Sequence, residues 1–362
     1  MTLWAELDRD GFEQFVWCRD RESDLQAFIA IHSTARGPAL GGCRLWPYTN
    51  QEDAARDAMR LARSMTYKAA AAGLPYGGGK AVVVGRPGDA GNDRRFEALG
   101  RFIERLNGSY LTGVDVGTTP YEMDAVLRST GYVTDTTGSM GGSGDWTADM
   151  TAYGVISGMK ATAKLVFGSS RLQGRTIAVQ GLGKVGWALC RYLHREGARL
   201  IVSDLNVRLV ERAVAEYRAM PIAADRIYEV SCDIFSPCAM GGILNETTIR
   251  LLQCRIIAGS ANNQLAAPEH AEQLWQRGIM YAPDFVINAG GIIATAAELE
   301  GDGPFRTRSR VRRIAGTLAE TYAEAEAADV TPAEAADRLA ERMLRTEADP
   351  PGTNDSRGTR RV

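Results

Sequence analysis

Two lysines, Lys68 and Lys80, stand 12 residues apart in Met65-Thr66-Tyr67-Lys68-Ala69-Ala70 and Gly73-Leu74-Pro75-Tyr76-Gly77-Gly78-Gly79-Lys80. Both segments are otherwise poor in charge. A lysine in an apolar, partly desolvated site beside a second cation has a lowered pKa and becomes a base near neutral pH. The second cation is then an anchor for a carboxylate. Three consecutive glycines carry an entropic cost and suit a loop whose backbone must approach a ligand. On residue types alone, an equal reading is a pair of surface lysines beside a glycine-rich loop. Asp115 lies in Thr112-Gly113-Val114-Asp115-Val116-Gly117-Thr118-Thr119. It is able to exchange a proton with an amine. It is equally suited to a turn or helix cap ahead of Pro120, and by residue type the cap is favoured.

The other residue types narrow the chemistry. Only His32, His194 and His270 are present, so a histidine mechanism has few candidates. The six cysteines, Cys18, Cys43, Cys190, Cys232, Cys238 and Cys254, form no Cys-x-x-Cys pair and lie near no histidine cluster. They read as reduced thiols of a cytoplasmic protein rather than a disulfide framework or a metal site, and no metal is expected. A net charge of -2 gives no global pull toward nucleic acid or an anionic membrane. No stretch is apolar enough to span a bilayer, and the N-terminus lacks the pattern of a signal peptide.

A second constellation is Gly181-Leu182-Gly183-Lys184-Val185-Gly186. The glycine spacing alone is weak. Its setting is specific, because a strand pattern precedes it, a helix pattern follows it, and Asp204 ends the next strand. Gly181 permits the tight turn, Gly183 lets the backbone approach a pyrophosphate, and Gly186 lets helix and strand pack closely. The helix N-terminus offers free N–H groups to phosphates. Asp204 accepts from ribose hydroxyls and repels a 2′-phosphate, so NAD is expected rather than NADP.

These groups need elements to position them. Residues 25–32 read as a buried strand, 51–62 and 96–106 as helices, and 81–84 as a short strand after the glycines. Residues 134–151 are rich in Gly, Ser and Thr and read as a connection. Beyond it, 152–166 is helical, 176–180 a strand, 181–186 a turn, 187–196 a helix and 200–204 a strand. This βαβ order predicts a doubly wound parallel sheet. Short strands follow near 234–235 and 255–258. Residues 306–328 and 332–345 read as long helices, the second capped by Thr331 with Pro332 and Glu334 behind it. The polar segment 347–362, with Arg357, Arg360 and Arg361, reads as a disordered tail.

With these motifs in their order, the chain resembles the glutamate/leucine/phenylalanine/valine dehydrogenase family, and within it the branched-chain and aromatic members. The matching runs include Gly37-Pro38-Ala39-Leu40-Gly41-Gly42, the two lysine segments, Asp115-Val116-Gly117-Thr118, the Gly181 turn and Gly259-Ser260-Ala261-Asn262-Asn263-Gln264. The resemblance implies an α/β substrate domain at 1–140 and a Rossmann domain at 141–324, separated by a cleft. Helices near 325–346 would pack back on the first domain.

It also implies NAD-dependent oxidative deamination of an apolar L-amino acid by a homo-oligomer. Lys80 would be the general base and Asp115 the proton carrier for nitrogen. Lys68 would bind the substrate carboxylate, helped by Gly41, Gly42 and an asparagine of the pair Asn262 and Asn263. Leu40, Met65, Gly113, Ile292 and Thr295 would receive the side chain, with Gly113 enlarging the pocket. Thr151 and Asn288 would lie beside the nicotinamide. Cys238 and Ala239 would lie on the adenosine side, and Asn263 would join the cofactor contacts. A phenylalanine or tryptophan preference on the same scaffold is the nearest alternative. A catalytically silent NAD-binding regulator is a more distant one.

Overall fold

The computed structural model describes residues 2–143 and 145–345. The segment 347–362 and Gly144 lie outside the described residues.

The first of two sheets is built around the strand Gly77–Val84. On one edge it pairs antiparallel with Leu25–Ser33, Lys80 lying opposite Ala30. On the other edge it pairs parallel with two short strands in succession, Ala39–Leu40 and Cys43–Trp46. Gly41 and Gly42 fill the break between those strands. A Cβ on Gly41 would lie 1.9 Å from the carbonyl oxygen of Gly79, and one on Gly42 would lie 2.4 Å from that of Val114. Gln14–Asp20 and Tyr110–Leu111 complete the sheet.

The glycine run is therefore not the expected loop, because Gly77, Gly78 and Gly79 open the strand itself. A Cβ on Gly77 would meet the Ser33 carbonyl oxygen at 1.9 Å, and one on Gly78 would meet the Thr66 amide nitrogen at 2.1 Å. One on Gly79 would meet the Tyr110 ring at 2.8 Å. These glycines bring strand and helix backbones into contact.

The helix against that strand is Gln51–Ala71, longer than the expected 51–62. Asn50 caps it by accepting the Asp53 N–H. Its buried face is mostly alanine, including Ala54, Ala58, Ala62, Ala69 and Ala70, which lets it sit close to the sheet. Lys68 is thereby placed in the last turn, beside the sheet that carries Lys80.

The second sheet is wholly parallel. Its order is Met280–Tyr281, Ile256–Ile257, Ile234–Pro237, Thr176–Gln180, Arg199–Ser203 and Met220–Pro221. The strand order reverses between Thr176–Gln180 and Ile234–Pro237. Crevices at the carboxyl ends of strands flanking such a reversal are where open α/β sheets bind ligands. The helix Lys184–Arg195 follows the first strand and buries Ala188, Leu189, Cys190 and Leu193.

Helix Trp146–Phe167 begins inside the glycine-rich connection. The helix expected over 306–328 is two helices, Pro304–Arg312 and Ile314–Ala328. The chain turns at Arg313, whose N–H bonds to the Arg310 carbonyl, so that Val311 and Ile314 both face inward. Thr331 accepts the Glu334 N–H at the start of Pro332–Arg345. That helix packs against Gln51–Ala71, and Arg36 Nη1 donates to the Met343 carbonyl. Among the described residues no helix is long and apolar enough to cross a membrane.

Candidate active site

Lys80 stands midway along the strand Gly77–Val84, is 4 % exposed, and places Nζ 3.1 Å from Asp115 Oδ2. Arg44 Nε donates to the same oxygen at 3.0 Å, and Arg44 Nη1 donates to Asp57 Oδ2 at 2.9 Å. The Tyr48 hydroxyl also donates to Asp57 Oδ2. Asp115 is thus not the helix cap that residue type favoured. Thr119 and Glu122 form a capping box on Pro120–Leu127. The Asp115 N–H instead donates to Thr118 Oγ1, which fixes the loop while the carboxylate turns to the cations. Burial alone would raise the Asp115 pKa. Lys80 and Arg44 beside it outweigh burial and hold it below the ordinary carboxylate value.

Lys68 enters from the helix and is 9 % exposed. Its Nζ donates to Asn262 Oδ1 at 2.9 Å, and Asn288 Nδ2 donates to the same oxygen at 2.8 Å. Asn262, rather than Asn263, is therefore the asparagine that meets Lys68. Burial lowers the Lys68 pKa to about 8, with repulsion from Lys80 adding to the fall and attraction from Asp284 opposing it. Asp284 is half-buried, and its Oδ2 accepts the Gln264 N–H at 2.8 Å. Burial raises its pKa, against the backbone N–H groups and Lys68. The two lysines lie within a network of acids and amides rather than in a charge-poor setting.

Lys68, Lys80, Arg44, Asp115, Asn262 and Asn288 face one cavity of about 300 Å³ between the two sheets. Leu40, Gly41, Gly42, Met65 and Gly113 line it from the first sheet's side. Thr151, Val185, Asn262, Asn263, Asn288, Ile292 and Thr295 line it from the other. Gly113 does not enlarge it as expected. A Cβ there would meet Asp135 Oδ2 at 2.4 Å and Thr134 Oγ1 at 2.5 Å, so two polar side chains already fill that space.

Gly181, Leu182, Gly183, Lys184 and Gly186 form the turn next to this cavity rather than its wall. Gly181 has φ +94°, and a Cβ on it would meet the Ala239 Cβ at 2.8 Å. A Cβ on Gly186 would meet the Gly181 carbonyl oxygen at 2.0 Å and the Cys238 Cβ at 3.3 Å. Gly183 alone of the three would meet nothing within 4 Å. Two glycines are thus fixed by packing, and the middle one opens on free space at the helix N-terminus. Asp204 accepts the Leu182 N–H at 2.6 Å and the Asn206 N–H at 2.7 Å, which fixes its carboxylate beside the turn.

This arrangement has known counterparts. The model of the Glu/Leu/Phe/Val dehydrogenase dimerisation domain matches residues 13–132, and that of glutamate/leucine/phenylalanine/valine dehydrogenase matches 141–214 and 203–343. The chain belongs to the glutamate/leucine/phenylalanine/valine dehydrogenase family. Leucine dehydrogenase of Geobacillus stearothermophilus is 49% identical over 96% of this chain and 94% of its own. Phenylalanine dehydrogenase of Bacillus thermotolerans is 43% identical, covering 95% and 91% respectively. The solved L-tryptophan dehydrogenase of Nostoc punctiforme superposes with a TM-score of 0.81 at 41% identity, over 95% of this chain and 98% of that one. As a member of this family the protein is an amino-acid dehydrogenase, an oxidoreductase acting on the CH–NH2 group of donors.

Three residues of this dehydrogenase's site escaped the sequence reading. Arg44 sits on a strand too short for alternation to mark its face. Asp284 acts on the site through Lys68, a relation that no local pattern around it records. Asp135 reads as part of a polar connection, yet it is 3 % exposed.

Proposed function

We propose that the protein catalyses the NAD-dependent oxidative deamination of an apolar L-amino acid, branched-chain in preference, and its reversal. The balance is L-amino acid, NAD+ and water giving the 2-oxo acid, ammonium, NADH and a proton. The observation that carries this reading is the convergence of Lys68, Lys80 and Asp115 on one cavity beside the Gly183 turn.

Lys68, protonated at neutral pH, binds the substrate carboxylate together with Asn262 and the backbone at Gly41 and Gly42. The carboxylate takes the place of solvent around a cation that burial has left poorly hydrated. Bound NAD+ supplies the hydride acceptor for the substrate Cα. Lys80 takes a proton from the water that attacks the resulting imino carbon. Asp115, 3.1 Å from Lys80, exchanges a proton with the departing or incoming nitrogen. Holding these groups against the Cα before reaction removes much of the entropic barrier.

The cofactor assignment rests on the turn. Open space at Gly183 and the N–H groups that begin Lys184–Arg195 suit a pyrophosphate, and Lys184 and Val185 start that helix. Gly181, Leu182 and Gly186 shape the approach. Asp204 would hold the ribose. Cys238 and Ala239 would contact the adenosine side, Asn263 would join the cofactor contacts, and Thr151 and Asn288 would contact the nicotinamide. Leu40, Met65, Gly113, Ile292 and Thr295 receive the substrate side chain. Free thiols suit a reducing cytoplasmic setting. A homo-oligomer is the assembly expected, and light scattering measures it.

The test is a panel of L-amino acids followed by NADH absorbance. Activity with leucine, valine or isoleucine is expected to exceed that with glutamate. Activity confined to glutamate would refute the substrate class, and activity confined to phenylalanine or tryptophan would move it to the aromatic members.

A further inference from the structure

Arg44 lines the cavity and takes no part in the proton transfers assigned to Lys80 and Asp115. It stands on the strand Cys43–Trp46, and its side chain is 18 % exposed. Its backbone neighbours bracket the loop that carries Asp115. The Cys43 N–H donates to the Gly113 carbonyl at 2.7 Å, and the Leu45 N–H donates to the Val116 carbonyl at 2.9 Å. The Thr118 hydroxyl, which accepts the Asp115 N–H, donates to the Cys43 carbonyl at 2.9 Å. Between these ties Arg44 Nε reaches Asp115 Oδ2 at 3.0 Å.

The guanidinium is held from behind as well. Nη1 donates to Asp57 Oδ2 at 2.9 Å, and the Tyr48 hydroxyl donates to the same oxygen. Arg60 Nη2 donates to Asp57 Oδ1. Asp57 belongs to the helix Gln51–Ala71 and does not line the cavity. Arg44 is thus clamped between an acid outside the cavity and one inside it. Lys80 and Arg44 both meet Asp115 at Oδ2. Oδ1 carries no hydrogen bond among the described residues and is not sealed from solvent.

The two cations differ in one respect. Lys80 acts as a base from its neutral form, and in that form it no longer offsets the Asp115 charge. A largely buried carboxylate needs a cation beside it. A guanidinium keeps its proton at any working pH, so Arg44 offsets Asp115 whichever state Lys80 is in. Lys68 is a further cation that acts on Asp115. Cys43 and Tyr110 also lie near it, and burial keeps that thiol and phenol neutral.

We propose that Arg44 is a positioning residue. It supplies the constant charge opposite Asp115 while Lys80 loses and regains its proton. By holding Oδ2 it leaves Oδ1 as the oxygen that takes a proton from the substrate nitrogen and returns it. This rests on the dehydrogenase reading of the same cavity.

The test is kcat against pH, with amino acid and NAD+ saturating, for wild type, Arg44→Met and Arg44→Lys. Loss of a cation raises the pKa of whichever neighbour titrates, Lys80 or Asp115, so the acid limb moves to higher pH. Arg44→Met should lower kcat by about 10²-fold, the order expected for a misplaced reacting group. It should move the acid limb upward by about one pH unit. Arg44→Lys keeps the charge, and should keep the limb near its wild-type position and recover most of kcat. NADH binding by fluorescence reports folding independently. If Arg44→Met binds no NADH, Arg44→Gln replaces it, with a donor for Asp115 but no charge, and the same shift is expected. A merely structural role would lower stability and leave the limb in place. Near-normal kcat or an unmoved limb in the uncharged variant overturns the proposal, and so does an equal shift in Arg44→Lys. If wild type oxidises an L-amino acid while these responses fail, the Arg44 assignment alone falls. If no L-amino acid reduces NAD+, the dehydrogenase reading of the cavity falls first.

Discussion

Lys80 Nζ and Asp115 Oδ2 lie 3.1 Å apart, although Lys80 is on the central strand of the first sheet and Asp115 is in the loop that follows Tyr110–Leu111. Arg44 shares the same carboxylate oxygen at 3.0 Å. The pair is therefore part of a triad, with one carboxylate oxygen shared by two basic side chains. A lysine so paired is held at one position and keeps an acid within reach for the proton it handles.

Replacing Lys80 with alanine should lower kcat by about 10²- to 10⁴-fold, the range for loss of a positioned general base. NADH affinity should change little, because the cofactor turn is on the other sheet. Steady-state kinetics with a fluorescence titration separates the two. Near-normal turnover would rule Lys80 out as the base.

Asp115→Asn should reduce both activity and stability. It leaves the Lys80 and Arg44 charges without their shared acid in a largely buried place. Loss of one partner from such a cluster should cost on the order of 2 kcal/mol. Urea unfolding gives the stability. A variant as stable as wild type would show that solvent already screens these charges.

Lys68 gives a pH signature. Its pKa is lowered to about 8, so the free enzyme carries the anchoring charge below that pH and loses it above. KM for the amino acid should therefore rise above about pH 8, after allowance for titration of the substrate amine. A bound carboxylate favours the protonated lysine, so kcat should hold to higher pH than kcat/KM. In Lys68→Met, KM should be high throughout and this limb should vanish. A limb that persists in the variant would belong to another group.

Two glycine-to-alanine exchanges separate packing from ligand approach. Gly78→Ala drives a Cβ to 2.1 Å from the Thr66 amide, so strand and helix must separate, at an expected cost of about 3 kcal/mol. Gly183→Ala meets nothing within 4 Å and should leave the melting temperature within a few degrees. It should nevertheless weaken NADH binding by about tenfold or more, since the methyl enters the space assigned to the pyrophosphate. Unchanged NADH affinity in Gly183→Ala would place the cofactor elsewhere.

The sequence carried the local features. The period of the buried strands, the Thr331 start and the glycine spacing of the nucleotide turn are short-range patterns, set by backbone conformation within a few residues. The family resemblance carried the identity of Lys68, Lys80 and Asp115. By themselves those residues read equally as surface lysines and a helix cap. Tertiary structure decided what each one meets. Asp115 belongs to Lys80 and Arg44 because the break at Gly41 and Gly42 lets the 112–118 segment lie against the central strand. Lys68 belongs to Asn262 across 194 positions of sequence. The glycines at 77–79 are packing residues because a helix and two neighbouring strands press on them, which no local pattern records. Asp135 was hidden for the same reason. Burial is a property of what surrounds a side chain, and those surroundings come from distant parts of the chain.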